Sequence, residues 1–399
     1  MHGEPLPLDG LLVLDFSQFL AGPSCALRLA DLGADVIKVE RPDGGDLCRG
    51  LVLADQKFEG DSALFHTINR RKRSFAADLK APDDLARVKA LIARADVMIH
   101  NFRPGVMERI GLDAASVLAL NPRIVYAAVT GYGEAGPWRD KPGQDLLVQS
   151  LSGLAWLTGD AGAHGEGAPV PAGVSMIDVI TGAHLVQGIL AALLRRGVTG
   201  RGGRVDVSLL ESALDLQFEP FTAFLNSDGQ QPTRTAANHA SVHGAAPYGI
   251  YRTADGFMAV AMTPMDKLAA LIDSPGLAAL AADSSTWFSQ RDALKQQLQR
   301  DLLAQNTAHW LSILEPAGVW CADVLTWPQL RAHPAFEALQ MTQTIRSASG
   351  AEMHTTRCPI RLDGRRLTSA QGAPTLGADT EAVAQQFHLP TKTSEVKLS

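Results

Sequence analysis

Residues Leu11–Glu40 read LLVLDFSQFLAGPSCALRLADLGADVIKVE, and this stretch decides the fold class. It begins with a short apolar run, LLVLDF (Leu11–Phe16), which is typical of a buried strand. The tripeptide GPS (22–24) then opens a helical segment that stops at Gly33. A second strand-like run, DVIKVE (Asp35–Glu40), follows at once. Strand, helix and strand in this order predict a βαβ unit of a parallel sheet.

The same alternation continues along the first half of the chain. DVMIHN (Asp96–Asn101) and RIVYAAVT (Arg123–Thr130) are further strand-like runs, and a helix with one apolar face begins at Pro82. A long helix, apolar on all sides and therefore expected to be buried, should run from about Ser175 to Arg196. We therefore predict an α/β fold, with a Rossmann-like large domain and a mainly parallel sheet over residues 1–224.

The character of the sequence changes after residue 224. Residues 225–249 are polar and rich in small side chains, which is typical of a linker or an active-site loop. IYRTADGFMAVAM then predicts a hairpin that turns at Ala254-Asp255-Gly256, and helical patterns follow it. We predict a smaller α+β domain over 225–325 and a C-terminal segment, 326–399, that returns to the large domain.

Composition narrows the class of function. The chain has 399 residues and a net charge of −6, which favours neither a nucleic-acid partner nor a membrane surface. Its four cysteines lie far apart, without paired spacing, so we expect reduced thiols. The N-terminus lacks a signal-peptide pattern, and no uninterrupted apolar run reaches the length of a membrane span. We expect a soluble, cytoplasmic protein.

Two motifs give only weak evidence of a dinucleotide site or a metal site. Gly131-Tyr-Gly-Glu-Ala-Gly136 matches the dinucleotide pattern GxGxxG, but a proline-rich segment follows it instead of the helix that would hold a pyrophosphate. His239 and His243 have the spacing of helical metal ligands, yet their surroundings are loop-like. We therefore expect hydrogen bonding within the loop for these histidines, and no metal site. The patterns for ATP binding, zinc hydrolysis and α/β-hydrolases are all missing from the sequence.

Three other segments carry chemistry. The basic run Asn69–Ser74 contains Arg71 and Lys72, whose charges would suit the three phosphates of coenzyme A. NFRPG (101–105) directly follows a strand, at the edge where open sheets bind ligands. Asp178 lies near the start of the long helix, where it either satisfies helix amides or acts as an ionised nucleophile. Local reasoning leaves both roles open.

Together these segments resemble the family III CoA-transferases. The resemblance begins at LVLDFSQFLAGPSCALRLADLGADVIKVERPDGGD, continues through NRRKRSFAADLK, ADVMIHNFRPGVMERIGLD, GYGEAGPW and PGQDLLVQSLSGLAWLTGD, and ends its strongest part with DVITGAHLVQGILAALLRRGVTGRGGRVDVSLLESAL. These motifs occur in order and with compatible spacing over most of the chain. The family also contains a divergent racemase branch.

The resemblance implies a mechanism and a set of site residues. In this family an aspartate at the position of Asp178 attacks an acyl-CoA thioester, and an aspartyl-CoA thioester then passes CoA to an acceptor carboxylate. Acyl-CoA and a small carboxylate are the substrates, and no permanently bound cofactor is implied. The family also implies an interlocked homodimer, in which each large domain meets the partner's small domain. The positions that correspond to its CoA contacts are Arg41, Lys72, Asn101, Phe102 and Arg109, and we add Arg71 from the basic run.

The substrate pocket departs from the patterns of two family members. Where formyl-CoA transferase has a glutamine, this chain has Leu20, followed by Ala21, and Gln18 stands two residues earlier. Gln144, before Asp145, replaces the histidine that racemases use as an acid or base at the α-carbon, and glutamine has no titratable proton. We therefore favour a CoA-transferase. The alternatives are an acyl-CoA racemase or isomerase and a non-catalytic CoA-binding protein.

Overall fold

The computed structural model describes residues 5–52 and 56–392. They form two compact units. The first contains the described residues up to Val148, Ser175–Ala213 and those from Ala338 onward, and the second contains Gln149–Val174 and Leu214–Glu337. The sequence analysis had assigned residues 149–174 to the large domain. They belong to the second unit because they bond to it: the Arg234 guanidinium donates to the Thr158 and Ala168 carbonyls, both at 3.0 Å.

The strands of the described residues fall into one larger sheet and several small ones. They are β1 (Leu12–Asp15), β2 (Asp35–Glu40), β3 (Lys57–Phe58), β4 (Asp61–Ser62), β5 (Arg73–Ala76), β6 (Val97–His100), β7 (Val125–Thr130), β8 (Gly203–Ser208), β9 (Gly249–Arg252), β10 (Phe257–Val260), β11 (Cys321–Asp323), β12 (Thr342–Arg346), β13 (Glu352–Thr356), β14 (Arg361–Leu362) and β15 (Arg365–Arg366).

Helices connect most of these strands. They are α1 (Ala21–Asp31), α2 (Ala63–Asn69), α3 (Pro82–Ile92), α4 (Val106–Arg109), α5 (Ala114–Leu120), α6 (Asp145–Leu151), α7 (Leu154–Leu157), α8 (Met176–Thr199), α9 (Leu209–Leu216), α10 (Phe218–Leu225), α11 (Met265–Leu271), α12 (Pro275–Leu280), α13 (Arg291–Leu302), α14 (Thr307–Leu314), α15 (Trp327–Ala332), α16 (Pro334–Leu339) and α17 (Thr380–Gln386). Short 3₁₀ turns cover Leu47–Gly50 and Ser284–Thr286.

The larger sheet of the first unit has six parallel strands in the order β5-β2-β1-β6-β7-β8. Leu14, Ile37 and Met98 from its central strands are fully buried and pack against Val88 and Leu91 of α3. The strands β1, β2 and β5 extend the sheet in one direction, and β6, β7 and β8 extend it in the other. A crevice therefore opens at the carboxyl edge between β1 and β6, where open α/β sheets bind ligands. This confirms the predicted α/β fold and parallel sheet.

Helix α8 is longer and more exposed than its composition suggested. By length and composition alone it is the one helix of the described residues that could cross a membrane. However, Ile177, Leu185 and Ile189 are fully buried, and α8 packs against α1, β7 and β8 as a core helix does. The expectation that α8 is buried on all sides is wrong, because Leu194 is 76% exposed and Val198 is 89% exposed. An apolar stripe of this helix faces away from its own unit.

The second unit contains the hairpin expected from its sequence. β9 pairs with β10 in antiparallel fashion, with Phe257 opposite Arg252, and β11 extends this sheet on the other side of β10. Helices α11 to α14 cover the sheet and bury Tyr251, Met258 and Trp310 in a separate apolar core. The unit is therefore built around its own α+β core.

Candidate active site

A groove of about 210 Å³ lies at the carboxyl edge of the parallel sheet in the first unit. It is formed by the segments that follow β1, β2, β5 and β6, together with α4. Its lining residues are Phe16, Ser17, Gln18, Lys38, Val39, Glu40, Arg41, Gly45, Asp46, Ala77, Asp78, Leu79, Lys80, Phe102, Val106 and Ile110. The groove therefore occupies the crevice that the strand order predicts.

Asn101 and Gln18 hydrogen-bond each other beyond the carboxyl ends of β6 and β1. Asn101 follows β6 and Gln18 follows the neighbouring strand β1. The Asn101 amide accepts the Gln18 backbone N–H at 2.8 Å and donates to the Gln18 carbonyl at 2.7 Å. Both ends of the Asn101 side chain are therefore engaged by the protein. Asn101 holds the backbone of Gln18, whose own side chain lines the groove.

Three cations line the groove, and one of them, Lys38, is bonded to the Ser17 carbonyl and to Asp46. Arg41 follows β2 and donates from Nε to the Gly45 carbonyl at 3.0 Å. Lys80 lies beyond the carboxyl end of β5 and is exposed. Arg41 was predicted from the sequence as a site residue, and Lys80 was not. The signal was present, because Lys80 ends the segment SFAADLK that begins with a strand, and a strand's carboxyl end points to the ligand edge.

Phe102 and Arg109 flank the same groove. The Phe102 ring lines it and stacks on His100, with the ring centroids 6.2 Å apart and the planes at 19°. Arg109 is the last residue of α4 and is exposed, one position before the lining residue Ile110. Arg41, Phe102 and Arg109 thus lie in or beside one groove.

The basic run does not lie in this groove. Arg71 precedes β5, at the amino end of that strand, and its backbone has a φ of +63°. Lys72 is fully buried, and its ammonium donates to Asp15 Oδ2 (2.8 Å), the Pro23 carbonyl (2.9 Å) and Asn69 Oδ1 (2.8 Å). Burial lowers the pKa of Lys72 to about 8, against the opposing effect of Asp15. The prediction that Lys72 holds a phosphate is therefore wrong, because all three ammonium donors are used inside the protein.

Asp178 lies in the first turn of α8, and Asp145 lies beside it. Asp145 is buried, and its Oδ2 accepts the backbone N–H groups of Ile177 at 2.8 Å and Asp178 at 3.0 Å. Asp145 therefore satisfies the start of the helix, which is the structural role that the sequence left open for Asp178. The described residues donate no hydrogen bond to the Asp178 carboxylate. Burial, and then the negative charge of Asp145, raise the pKa of Asp178 to about 7.

Helix α1 approaches α8 closely, one turn beyond Asp178. A Cβ added at Gly182 would lie 2.3 Å from Ser24 Oγ and 2.8 Å from the Ala21 carbonyl oxygen. Since residues four apart share a face of a helix, Asp178 lies on the face of α8 that approaches α1. Ala21 is buried at the start of α1, and Leu20 before it packs near Cys48. The structure thus brings Leu20 and Ala21 towards the start of α8.

The first glycine of the false dinucleotide motif has a structural explanation. Gly131 follows β7, and a Cβ added there would lie 2.7 Å from the Cα of Gly143. The two backbones therefore pass so closely that neither position accepts a side chain. This contact fixes the segment that enters α6, where Gln144 is exposed and Asp145 is buried.

The two histidines of the polar loop form no recognisable metal site. His239 Nδ1 accepts the Thr235 N–H at 3.1 Å, and Nε2 lies 3.0 Å from the Leu157 carbonyl oxygen. Nδ1 therefore bonds within the loop, as expected, and Nε2 links the loop to the end of α7. Groups of three or more potential metal ligands do not occur in the part of the chain that the structure describes.

Comparison with known proteins agrees with this architecture. The model of CoA-transferase family III matches residues 8–380. Succinate–glutarate CoA-transferase of Agrobacterium fabrum is 31% identical over 99% of both chains, and acetyl-CoA:oxalate CoA-transferase of Acetobacter aceti is 32% identical over 96% of both. A solved CaiB/BaiF family protein from Brucella suis has a TM-score of 0.79 at 30% identity, covering 96% of this chain and 100% of that one. The chain belongs to CoA-transferase family III.

Proposed function

We propose that this protein moves coenzyme A between small carboxylic acids through an aspartyl-CoA thioester on Asp178. One observation carries the proposal. The carboxylate of Asp145 accepts the amides at the start of α8, at 2.8 and 3.0 Å, so the Asp178 carboxylate is not needed there. A partly buried carboxylate without a hydrogen-bond donor among the described residues is a suitable nucleophile.

The proposed reaction has two matching halves. An Asp178 carboxylate oxygen attacks the thioester carbon of the donor, the carbon–sulfur bond breaks, and CoA leaves as a thiolate. The donor acyl group and Asp178 then form a mixed anhydride. The thiolate then attacks the Asp178 side-chain carbonyl, which releases the donor acid as a carboxylate and leaves an aspartyl-CoA thioester. The acceptor carboxylate enters, and the same steps run in reverse. Every step exchanges one acyl bond for another, so no ATP and no resident cofactor is required.

The raised pKa of Asp178 fits this role. Burial and the neighbouring Asp145 disfavour the charged form and raise the pKa to about 7. A more basic carboxylate is a stronger nucleophile once it is ionised, and at slightly alkaline pH it is mostly ionised. The repulsion from Asp145 disappears when Asp178 becomes a neutral anhydride or thioester. The environment therefore favours the covalent intermediates over the resting carboxylate.

We place coenzyme A in the groove at the carboxyl edge of the sheet. Arg41 and Lys80 line it and can balance phosphate charge, and the Phe102 ring offers an apolar wall. The relatives named above act on succinate, glutarate and oxalate by their names. We therefore propose small mono- and dicarboxylic acids as donors and acceptors for this protein.

We further propose a homodimer. Val179, Leu194 and Val198 of α8 are 57%, 76% and 89% exposed, and water-exposed apolar side chains in a row favour association. A second copy of the chain is the partner that the family resemblance implies. Light scattering coupled to size-exclusion chromatography should give twice the monomer mass, whereas a monomer at micromolar concentration would argue against this part of the proposal.

A transfer assay tests the proposed function. Succinyl-CoA and acetyl-CoA are offered as donors with a panel of small carboxylates, and new acyl-CoA is measured by chromatography. Asp178→Asn keeps the size of the side chain but removes the attacking oxygen, so turnover should fall by several orders of magnitude. The matched control is Asp140→Asn, because Asp140 is an exposed aspartate in the segment before α6. Near-normal transfer by Asp178→Asn would refute the proposal.

A further inference from the structure

The segment Ser17–Phe19, which we call the groove loop, joins β1 to α1 and has an unusual support. It has no regular secondary structure, and Phe19 has a φ of +65°, a backbone conformation that residues other than glycine rarely adopt. Phe19 is nevertheless 44% exposed, so its own packing does not explain this conformation. Something else must hold the groove loop in place.

Side chains that are buried or half-buried bind five consecutive backbone groups of the groove loop. The Ser17 N–H donates to Asp15 Oδ1 at 3.0 Å, and the Ser17 carbonyl accepts from Lys38 Nζ at 2.8 Å. Asn101 binds the next N–H and carbonyl, those of Gln18, as described above. The Phe19 N–H donates to Asp46 Oδ1 at 3.2 Å. Side chains thus supply the backbone hydrogen bonds that a helix or a strand would otherwise provide.

Three of these supporting side chains, those of Asp15, Lys38 and Asp46, form one charged cluster together with Lys72. Lys38 forms an ion pair with Asp46 at 2.8 Å, and Lys72 forms one with Asp15, also at 2.8 Å. All four side chains are at most 2% exposed. The other two hydrogen bonds of Lys72 reach the Pro23 carbonyl in α1 and Asn69 in α2. The cluster therefore fastens the groove loop at its start, at its end and at the helix that follows it.

We propose that Lys72 is a positioning residue for acyl transfer, which acts by holding the groove loop through Asp15. This inference rests on the proposed function, since the loop carries Gln18 into the groove and leads into Ala21, which contacts α8 one turn from Asp178. Arg41 and Lys80 lie outside the groove loop, so a loosened loop should leave their proposed phosphate contacts in place. It does change the placement of the thioester against the nucleophile, on which the rate depends steeply.

The basic run supplies a matched control. Arg70 is also buried, at 1% exposure, and its Nη2 forms a bidentate ion pair with Asp31 at 2.8 and 2.9 Å. None of its hydrogen bonds among the described residues reaches the groove loop. Arg70→Met and Lys72→Met therefore remove comparable buried charges, two positions apart, and only the second removes a link to the loop.

The experiment combines steady-state kinetics with hydrogen exchange. Lys72→Met should lower kcat by about 10- to 100-fold while KM for acyl-CoA changes less than about threefold. The amides of Ser17, Gln18 and Phe19 should exchange faster in this variant. Arg70→Met should change neither result, whatever its melting temperature. In Lys72→Met the buried Asp15 keeps only its longer ion pair with Lys38, at 3.9 Å. The double variant Asp15→Asn/Lys72→Met removes this poorly balanced charge and should recover part of kcat.

Two outcomes would overturn the inference. A raised KM at normal kcat in Lys72→Met would make Lys72 a substrate-binding residue after all. Equal losses in Arg70→Met and Lys72→Met would make its role one of general stability. If the wild-type protein transfers no CoA at all, the proposed function fails, and hydrogen exchange alone then decides whether Lys72 holds the groove loop.

Discussion

The raised pKa of Asp178 should lower the free energy of unfolding of the protein at neutral and alkaline pH. Its pKa is raised from 3.8 to about 7 by burial and by Asp145, so between these values the folded state holds a proton that the unfolded state has lost. Stability therefore falls as pH rises through this window. A shift of about three units corresponds to about 4 kcal/mol, and partial exposure reduces this to about 2–4 kcal/mol. Asp178→Asn carries no charge and avoids the cost.

Thermal unfolding over pH 4–9 measures this effect. At pH 8 the Asp178→Asn variant should melt several degrees above the wild type, and the difference should shrink towards zero near pH 4, where the folded wild type is protonated as well. Asp140→Asn, an exposed aspartate, should show no such trend. Asp145→Asn removes the neighbouring charge, so the acid limb of the wild-type activity profile, expected near pH 7, should move to lower pH. An Asp178→Asn variant with the same melting difference at pH 4 and pH 8 would refute this reasoning.

Two further substitutions test the groove and the contact between helices. Lys80→Ala should raise KM for acyl-CoA about tenfold at low salt and less at high salt, because it removes a phosphate contact that salt screens. The control Lys57→Ala changes an exposed lysine and should leave KM unchanged. Equal KM values for Lys80→Ala and wild type in steady-state assays would remove Lys80 from the site. Gly182→Ala should lower both kcat and melting temperature, because its Cβ would lie 2.3 Å from Ser24 Oγ, whereas Gly197→Ala in the same helix meets nothing within 4 Å. A fully active Gly182→Ala enzyme would show that the spacing of α1 and α8 does not position the nucleophile.

Much of the fold could be predicted because it depends on local patterns. Apolar runs separated by helical segments led to the parallel sheet, and NFRPG was placed correctly at its carboxyl edge because it follows β6 directly. The position of Asp178 at the start of α8 was likewise visible from the sequence. These predictions required only the order of elements along the chain.

The features that could not be predicted are contacts between residues that lie far apart in the sequence. The basic run was expected to bind phosphate, but Lys72 extends into the interior to Asp15, 57 positions earlier in the sequence. Asp145 caps a helix that begins about 30 residues later, a relation that spacing does not encode. Gly131, the first glycine of the GxGxxG match, is required because its backbone touches that of Gly143, 12 positions later. Long-range contacts of this kind arise from tertiary packing, and a single sequence does not show them.

The central claim is that Asp178 becomes covalently attached to coenzyme A, and mass spectrometry tests it most directly. Wild-type protein mixed with acyl-CoA, without an acceptor, should gain the mass of coenzyme A less one water. Peptide mapping should place this adduct on Asp178, and hydroxylamine should remove it, because a thioester is far more reactive than an amide. Asp178→Asn should remain unmodified. A catalytically active enzyme that forms no adduct, or one that carries it on Asp145, would contradict the account.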